Sequence, residues 1–356
     1  MKEKICVKKF SCERDSIRLQ GRMYFPKSSD VEKLKPVIIS HGFMSSRKMC
    51  RSYAEIFARW GYAAFIFDYN DAKPDGMTVL GATEDLHSVV RFVQSLDFVD
   101  SSELVLMGLS QGGLVSALLS ARLQEQVKKL IMFYPELCPD DDAEKISTYR
   151  GPVCIIHGDS DNLVKLECSE KAIAAYRDEE MKNGGDEKSV LKKQLFVLNG
   201  AGHVFNKISD YHAMNIVEQF LSGMCEILEI DVKIKSRTET KENGIRLETT
   251  LFKGEAKGPF FSGKIQAGAQ DVQQWKGRNP LRLCSNYVIK GPDSSGQRRM
   301  LSVSNFSCDG VNWARTIKTD SPVLRELGVE KYCRMVMEYR DCGPLVRLFT
   351  MREENH

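Results

Sequence analysis

The chain has 356 residues, 51 of them basic and 48 acidic, for a formal net charge of +3, and 42% are hydrophobic. That length accommodates two domains more readily than one, and the composition excludes a disordered chain. Lysines and arginines are scattered, and the Lys-rich first nine residues, Lys128-Lys129 and Arg298-Arg299 read as solvated faces. Neither a nucleic-acid nor an anionic-membrane partner is expected.

No stretch approaches the ~20 apolar residues of a membrane helix, and "MKEKICVKKFSCERDS" has no apolar signal region. A cytoplasmic protein is expected. Eleven cysteines, odd in number, irregularly spaced and without a C-x-x-C, read as reduced thiols. Cys138, Cys154 and Cys168 flank the chemistry described below, but none has a histidine at a familiar spacing, and they are read as structural. No metal and no cofactor is expected.

In chain order, segments near 5–10 and 17–25 read as antiparallel edge strands. Short apolar runs follow at "VIIS" (37–40), "AAFIFD" (63–68), "ELVLMG" (103–108), "LIMFY" (130–134), "PVCIIH" (152–157) and "QLFVL" (194–198). Such consecutive apolar positions suit strands covered on both faces. Amphipathic stretches separate them, as in 81–96, where Leu86, Val89, Val90 and Val93 share a face. This alternation predicts a doubly wound α/β domain with a mainly parallel sheet over residues 1–228. The last helix, "DYHAMNIVEQFLSGMCEIL", is expected to end near Leu228. From 229 to 356, seven or eight alternating strands without intervening helices predict an antiparallel β-barrel or sandwich.

The stretch "ELVLMGLSQGGLVSALLSARL" carries the chemistry. Ser110 follows a buried-type strand, opens a helix and lies between Gly108 and Gly112, the setting of a strand-to-helix turn that lifts a hydroxyl clear of a sheet. Side chains at the two glycines would collide with the neighbouring strand and helix. A serine hydroxyl needs a base, and the base an orienting carboxylate, in the chain order Ser, acid, His. After "PVCIIH", Asp159 and Asp161 compete for the acid. Asp161 is favoured because it lies past the turn, whereas Asp159 suits a turn cap. After "QLFVLNG", His203 stands at the position required of the base. His41 and His157 read as structural. Backbone N–H groups of Gln111 and Phe43 are the expected oxyanion donors.

"VIISHGFMSSR", "FIFDYN", "GMTVLGATEDL", "LVLMGLSQGGLVSALLS", "PVCIIHGDSDNLV" and "LNGAGHVF" together resemble the bacterial cinnamoyl and feruloyl esterases of the α/β-hydrolase superfamily over about residues 20–225. The resemblance implies a Ser110–Asp161–His203 triad with Phe43 and Gln111 at the oxyanion hole. Two departures stand out. Members usually carry a long glycine-rich stretch where this chain has "DAKPDG", and a long lid where it has only "PELCPDDDAEKISTYRG". Without the lid, the implied hydroxycinnamate specificity weakens, and the expectation is an open site or one covered by something else, for which the C-terminal domain is the candidate. The segment "GEAKGPFFSGKIQAGAQDVQQW" faintly resembles small lipocalin-like barrels.

A serine carboxylic-ester hydrolase acting on a small-molecule ester is therefore expected. An acyltransferase or peptidase would use the same triad, and a catalytically idle scaffold with a ligand-binding barrel is the alternative from another class. The C-terminal domain is also a candidate homodimer surface.

Overall fold

A computed structural model describes residues 4–27, 32–70, 78–137, 142–310 and 312–351. Cys138 and the "DAKPDG" segment lie outside the described residues. Close backbone approaches group the chain into two compact units, Met1–Val217 and Glu218–His356.

The first unit opens with the antiparallel pair β1 (Ile5–Arg14) and β2 (Ile17–Pro26). Then come β3 (Pro36–Ser40), α1 (Arg51–Arg59), β4 (Ala63–Phe67), α2 (Val79–Gln94), β5 (Val105–Leu109), α3 (Gln111–Leu123) and β6 (Lys129–Phe133). The unit continues through α4 (Ala143–Ser147), β7 (Val153–Gly158), α5 (Leu166–Lys182), α6 (Glu187–Val190), β8 (Lys193–Leu198) and most of α7 (Lys207–Leu221), whose last turn falls past Val217. The sheet order is β1-β2-β4-β3-β5-β6-β7-β8, parallel from β4 to β8. Every residue of β3, β4, β5 and β7 is buried, as both-face coverage requires.

Local sequence explains the elements. Thr78 caps α2 by accepting the Gly81 N–H at 3.0 Å, and Ala82, Leu86, Val89, Val90 and Val93 recur at helical spacing on its buried face. From β3 the chain winds first to β4, then crosses back to β5 on the other side of β3, with Ser40 opposite Gly108. The winding thus reverses between β3 and β5, and a crevice opens at the carboxyl ends of strands at such a point.

Helix α7 ends at Leu221, not near Leu228 as the sequence suggested. Gly223, with φ +77°, takes a left-handed conformation that stops the helix, and β9 begins at Met224. The apolar residues of "MCEIL" fit either period. Their pairing with the distant C-terminal strand, Leu228 opposite Leu348, makes them β.

The second unit contains β9 (Met224–Glu242), β10 (Ile245–Lys257), β11 (Gly263–Ile265), β12 (Gln270–Lys276), β13 (Asn279–Pro292), β14 (Arg298–Ser307) and β15 (Ala314–Thr319). Helices α8 (Pro322–Glu326) and α9 (Val329–Tyr332) lead to β16 (Cys333–Glu338) and β17 (Leu345–Met351). Among the described residues every strand pairing of this unit is antiparallel, and the pairings join into one hydrogen-bonded sheet. β11 and β12 share one slot between β10 and β13, so nine strand segments fill eight positions. The path of pairing ends at β15 and β16, where Arg315 Nη1 donates to the Cys333 carbonyl at 3.5 Å. The two ends of the sheet therefore come together, and the sheet curls. The turn Asn243-Gly244, both at positive φ, is the tight hairpin type that suits strand twist. Helices α8 and α9 correct the expectation of strands alone: Ser321 caps α8 and Pro322 stands at its start, a helix-opening signature in the sequence.

Candidate active site

Ser110 sits between the end of β5 and the start of α3 with φ +53° and ψ −122°, a backbone state that L residues rarely adopt. Three hydrogen bonds hold it: Ser110 N–H to the Phe133 carbonyl at 3.0 Å, and the Gly113 and Glu136 N–H groups to the Ser110 carbonyl at 2.8 and 3.1 Å. The flanking glycines are needed for space. A Cβ on Gly108 would overlap the Gly112 carbonyl, and one on Gly112 would lie 2.5 Å from the His41 carbonyl oxygen. Strained geometry at a site of this kind costs about 1–3 kcal/mol and persists only where neighbours over-determine it.

His203 and Asp161 arrive on loops after β8 and β7. Gly158 lets those loops close together: a Cβ there would overlap the Ala201 carbonyl, which accepts the Ser160 N–H at 3.1 Å. His203 Nε2 lies 2.9 Å from Ser110 Oγ, and its Nδ1 lies 2.8 Å from Asp161 Oδ2. Asp161 can only accept, so Nδ1 carries the hydrogen and Nε2 presents a lone pair to the Ser110 hydroxyl. The ring of Tyr134 packs 4.9 Å from the His203 ring, between centroids. Asp159 does not join this set; its Oδ1 accepts the Gly200 N–H at 2.6 Å, the turn-capping role its position suggested.

The Asp161 side chain is fully buried. Oδ1 accepts the Leu163 and Val164 N–H groups, each at 2.9 Å, and Oδ2 accepts from His203 Nδ1 and His157 Nε2. Burial pushes the carboxyl up, but the Val164 N–H, the His203 ring and the Leu163 N–H together outweigh it and hold Asp161 below the ordinary aspartate value. It is an anion at neutral pH. His157 was read from the sequence as a packed or hydrogen-bonded strand-end residue; that its partner is this carboxylate was missed. The spacing of four residues across the Gly158 turn is the signal that could have found it.

The loop after β3 lies against the nucleophile, since the Cβ position of Gly42 is 3.1 Å from Ser110 Cβ. His41 Nε2 faces the Tyr69 N–H at 3.5 Å and Nδ1 faces the Gly42 carbonyl at 2.8 Å, which makes Nδ1 the donor. In a trans peptide the N–H points away from the C=O, so anchoring the Gly42 carbonyl on His41 turns the Phe43 N–H to the opposite side. Gln111 is the first residue of α3, where N–H groups have no intrahelical acceptor. Of the cysteines considered, Cys154 is buried in β7 and Cys168 is half-buried in α5, and it is the Ser110 hydroxyl that meets His203 Nε2. Among the described residues no cluster of ligating side chains could hold a metal, and no helix is long and apolar enough to cross a membrane.

The profile of the Dienelactone hydrolase family matches residues 19–219. An uncharacterized 31.7 kDa protein of the traX-finO intergenic region of Escherichia coli is 26% identical over 201 residues, covering 53% of this chain and 63% of that protein. The quorum-quenching protein AidA of Acinetobacter baumannii is 25% identical over 108 residues, 28% of this chain and 35% of AidA. The chain thus spans less than two thirds of the length of either relative. Among solved structures, Est1E from Butyrivibrio proteoclasticus, also solved with ferulic acid bound, aligns with a TM-score of 0.51 at 21% identity, covering 60% of this chain and 98% of Est1E. The dienelactone hydrolase-like promiscuous phosphotriesterase P91, from metagenomic libraries, aligns with a TM-score of 0.52 at 15% identity, covering 61% and 98%. These structural likenesses establish the α/β-hydrolase fold of the first unit.

Proposed function

The chain belongs to the Dienelactone hydrolase family, and from that premise we propose that it is a serine hydrolase that cleaves a carboxylic ester through an acyl-enzyme on Ser110. The observation that carries this reading is the unbroken relay Ser110 Oγ, His203 Nε2, His203 Nδ1, Asp161 Oδ2, with steps of 2.9 and 2.8 Å. His203 takes the hydroxyl proton as Oγ attacks the ester carbon, and the Asp161 anion stabilises the imidazolium that forms. Charge on the carbonyl oxygen is met by the N–H groups of Gln111 and Phe43. Collapse expels the alcohol, which takes the proton from Nε2. Water, activated by the same nitrogen, then releases the acid.

Neutral, apolar substrates fit the surroundings best. Phe43 and Met44 lie on the oxyanion loop, Leu163 lies two residues after Asp161 and Val204 follows His203, and all four are exposed, Met44 at 90% and Leu163 at 78%. Apolar side chains left in water next to a reactive group gain by covering an apolar acyl or alcohol group. Hydroxycinnamoyl esters belong to this class.

The test is incubation with a fluorophosphonate, followed by mapping of the modified peptide. Adduct on Ser110, together with turnover of at least one aryl or alkyl ester, is the expected result. Absence of label on Ser110 contradicts the reading. Product analysis with added alcohol separates hydrolysis from acyl transfer.

A further inference from the structure

We propose that His157 is a positioning residue of the Ser110–His203–Asp161 set: its Nε2–H holds Asp161 Oδ2, the oxygen that His203 Nδ1 also meets, and so fixes the carboxylate that orients the base. The inference rests on the triad reading given above.

Both acceptors in front of His157 Nε2 demand a hydrogen there. Asp161 Oδ2 lies at 3.1 Å and the Val164 carbonyl oxygen at 3.0 Å, and neither can donate. Nδ1 then presents a lone pair, and the Ser169 hydroxyl, 2.7 Å away, donates into it. The two acceptors at Nε2 therefore select the tautomer, and the Ser169 hydroxyl, able to donate or accept, completes it. Both His157 and Ser169 are 0% exposed, so water offers no substitute partner.

With His157 in place, the carboxylate's four lone-pair positions are all engaged, two by the backbone N–H groups of Leu163 and Val164 and two by imidazole N–H groups. Backbone donors on Oδ1 fix that oxygen alone. The carboxylate can still rock about it, and the second contact on Oδ2 removes that freedom. Burial keeps His157 neutral by lowering its proton affinity, so it orients Asp161 without a competing positive charge. The negative charge is left for the His203 imidazolium.

The test compares His157→Gln, which sets an amide nitrogen near the place of Nε2, with His157→Asn, which sets one near Nδ1, and with His157→Leu. Rates are expressed per active site titrated with fluorophosphonate, so that misfolded molecules do not count. His157→Leu and His157→Asn are expected to lower kcat about 10–100-fold with KM within about twofold, since a small misplacement of a catalytic group costs rate rather than ground-state binding. His157→Gln is expected to recover to within about threefold of wild type. If Leu does not fold, the Gln and Asn pair decides alone. Equal kcat for Gln and Asn, or full kcat in Leu, overturns the positioning role. If either of those kinetic results is obtained while Ser110 of wild type is labelled, this inference fails and the hydrolase reading stands; no labelling in wild type would mean that the reading itself fails.

Discussion

Ser110 Oγ and His203 Nε2 stand 2.9 Å apart although 93 residues separate them in the chain. Two backbone devices bring them together: the strained turn at Ser110 between Gly108 and Gly112, and the close approach of Gly158 to Ala201 that joins the loops after β7 and β8. The geometry of the proposed triad therefore depends on residues that carry no chemistry.

Gly112→Ala is expected to destabilise the protein by about 3 kcal/mol or more, because the new Cβ meets the backbone carbonyls of Ser40 and His41, which no rotamer change relieves. Ser110→Gly is expected to do the opposite, gaining about 1 kcal/mol from relief of the positive φ after the entropic cost of glycine, while removing all activity. Denaturant midpoints for the two variants check both signs.

Asp161→Asn is expected to lower kcat/KM about 10³–10⁴-fold, since an amide can favour the wrong tautomer of His203 and cannot stabilise its cation. Asp159→Asn, whose carboxylate accepts from the Gly200 N–H and the Ser160 hydroxyl of the turn, is expected to stay within about threefold of wild type. Steady-state kinetics on one ester, side by side, discriminates the two carboxylates.

Stability should fall as the pH drops below about 6.5, in part through His157. Burial, aided by the nearby His203, holds His157 below the ordinary histidine value of 6.5 against the Val164 carbonyl and Asp161. The unfolded chain then binds a proton below pH 6.5 that the folded protein refuses, so this contribution is complete above that pH and is lost on acidification. Glu226, pushed up to about 7 mainly by burial, acts with the opposite sign over part of the same window. The difference between wild type and His157→Gln isolates His157. Tm measured from pH 7.5 to 5.5 should fall more steeply in wild type, and parallel slopes would contradict the assignment.

Leu163→Ser and Val204→Ser are expected to raise KM for a long or aromatic ester several-fold and to leave an acetyl ester within about twofold, since each exposed side chain contributes only apolar cover. An ester series measured at equal active-site titre checks the contrast.

Much of this site was legible in the sequence because it follows short-range rules. A serine between two glycines at a strand end, an aspartate past a turn and a histidine after the last strand each announce themselves within a few residues. What escaped depends on contacts that local pattern does not encode. His157 looks like any strand-end histidine until Asp161 folds back onto it, and the "MCEIL" segment reads as helix until Leu228 meets Leu348. The single curled sheet of the second unit was likewise undetermined, because alternation along a strand does not say which strand lies beside it.

The central claim is that Ser110 is the nucleophile, and kcat/KM of wild type and Ser110→Ala on the best accepted ester tests it most directly. A fall of about 10⁴-fold or more, with an unchanged Tm or a small rise in it, is the expected result. Equal turnover by the two proteins would contradict it.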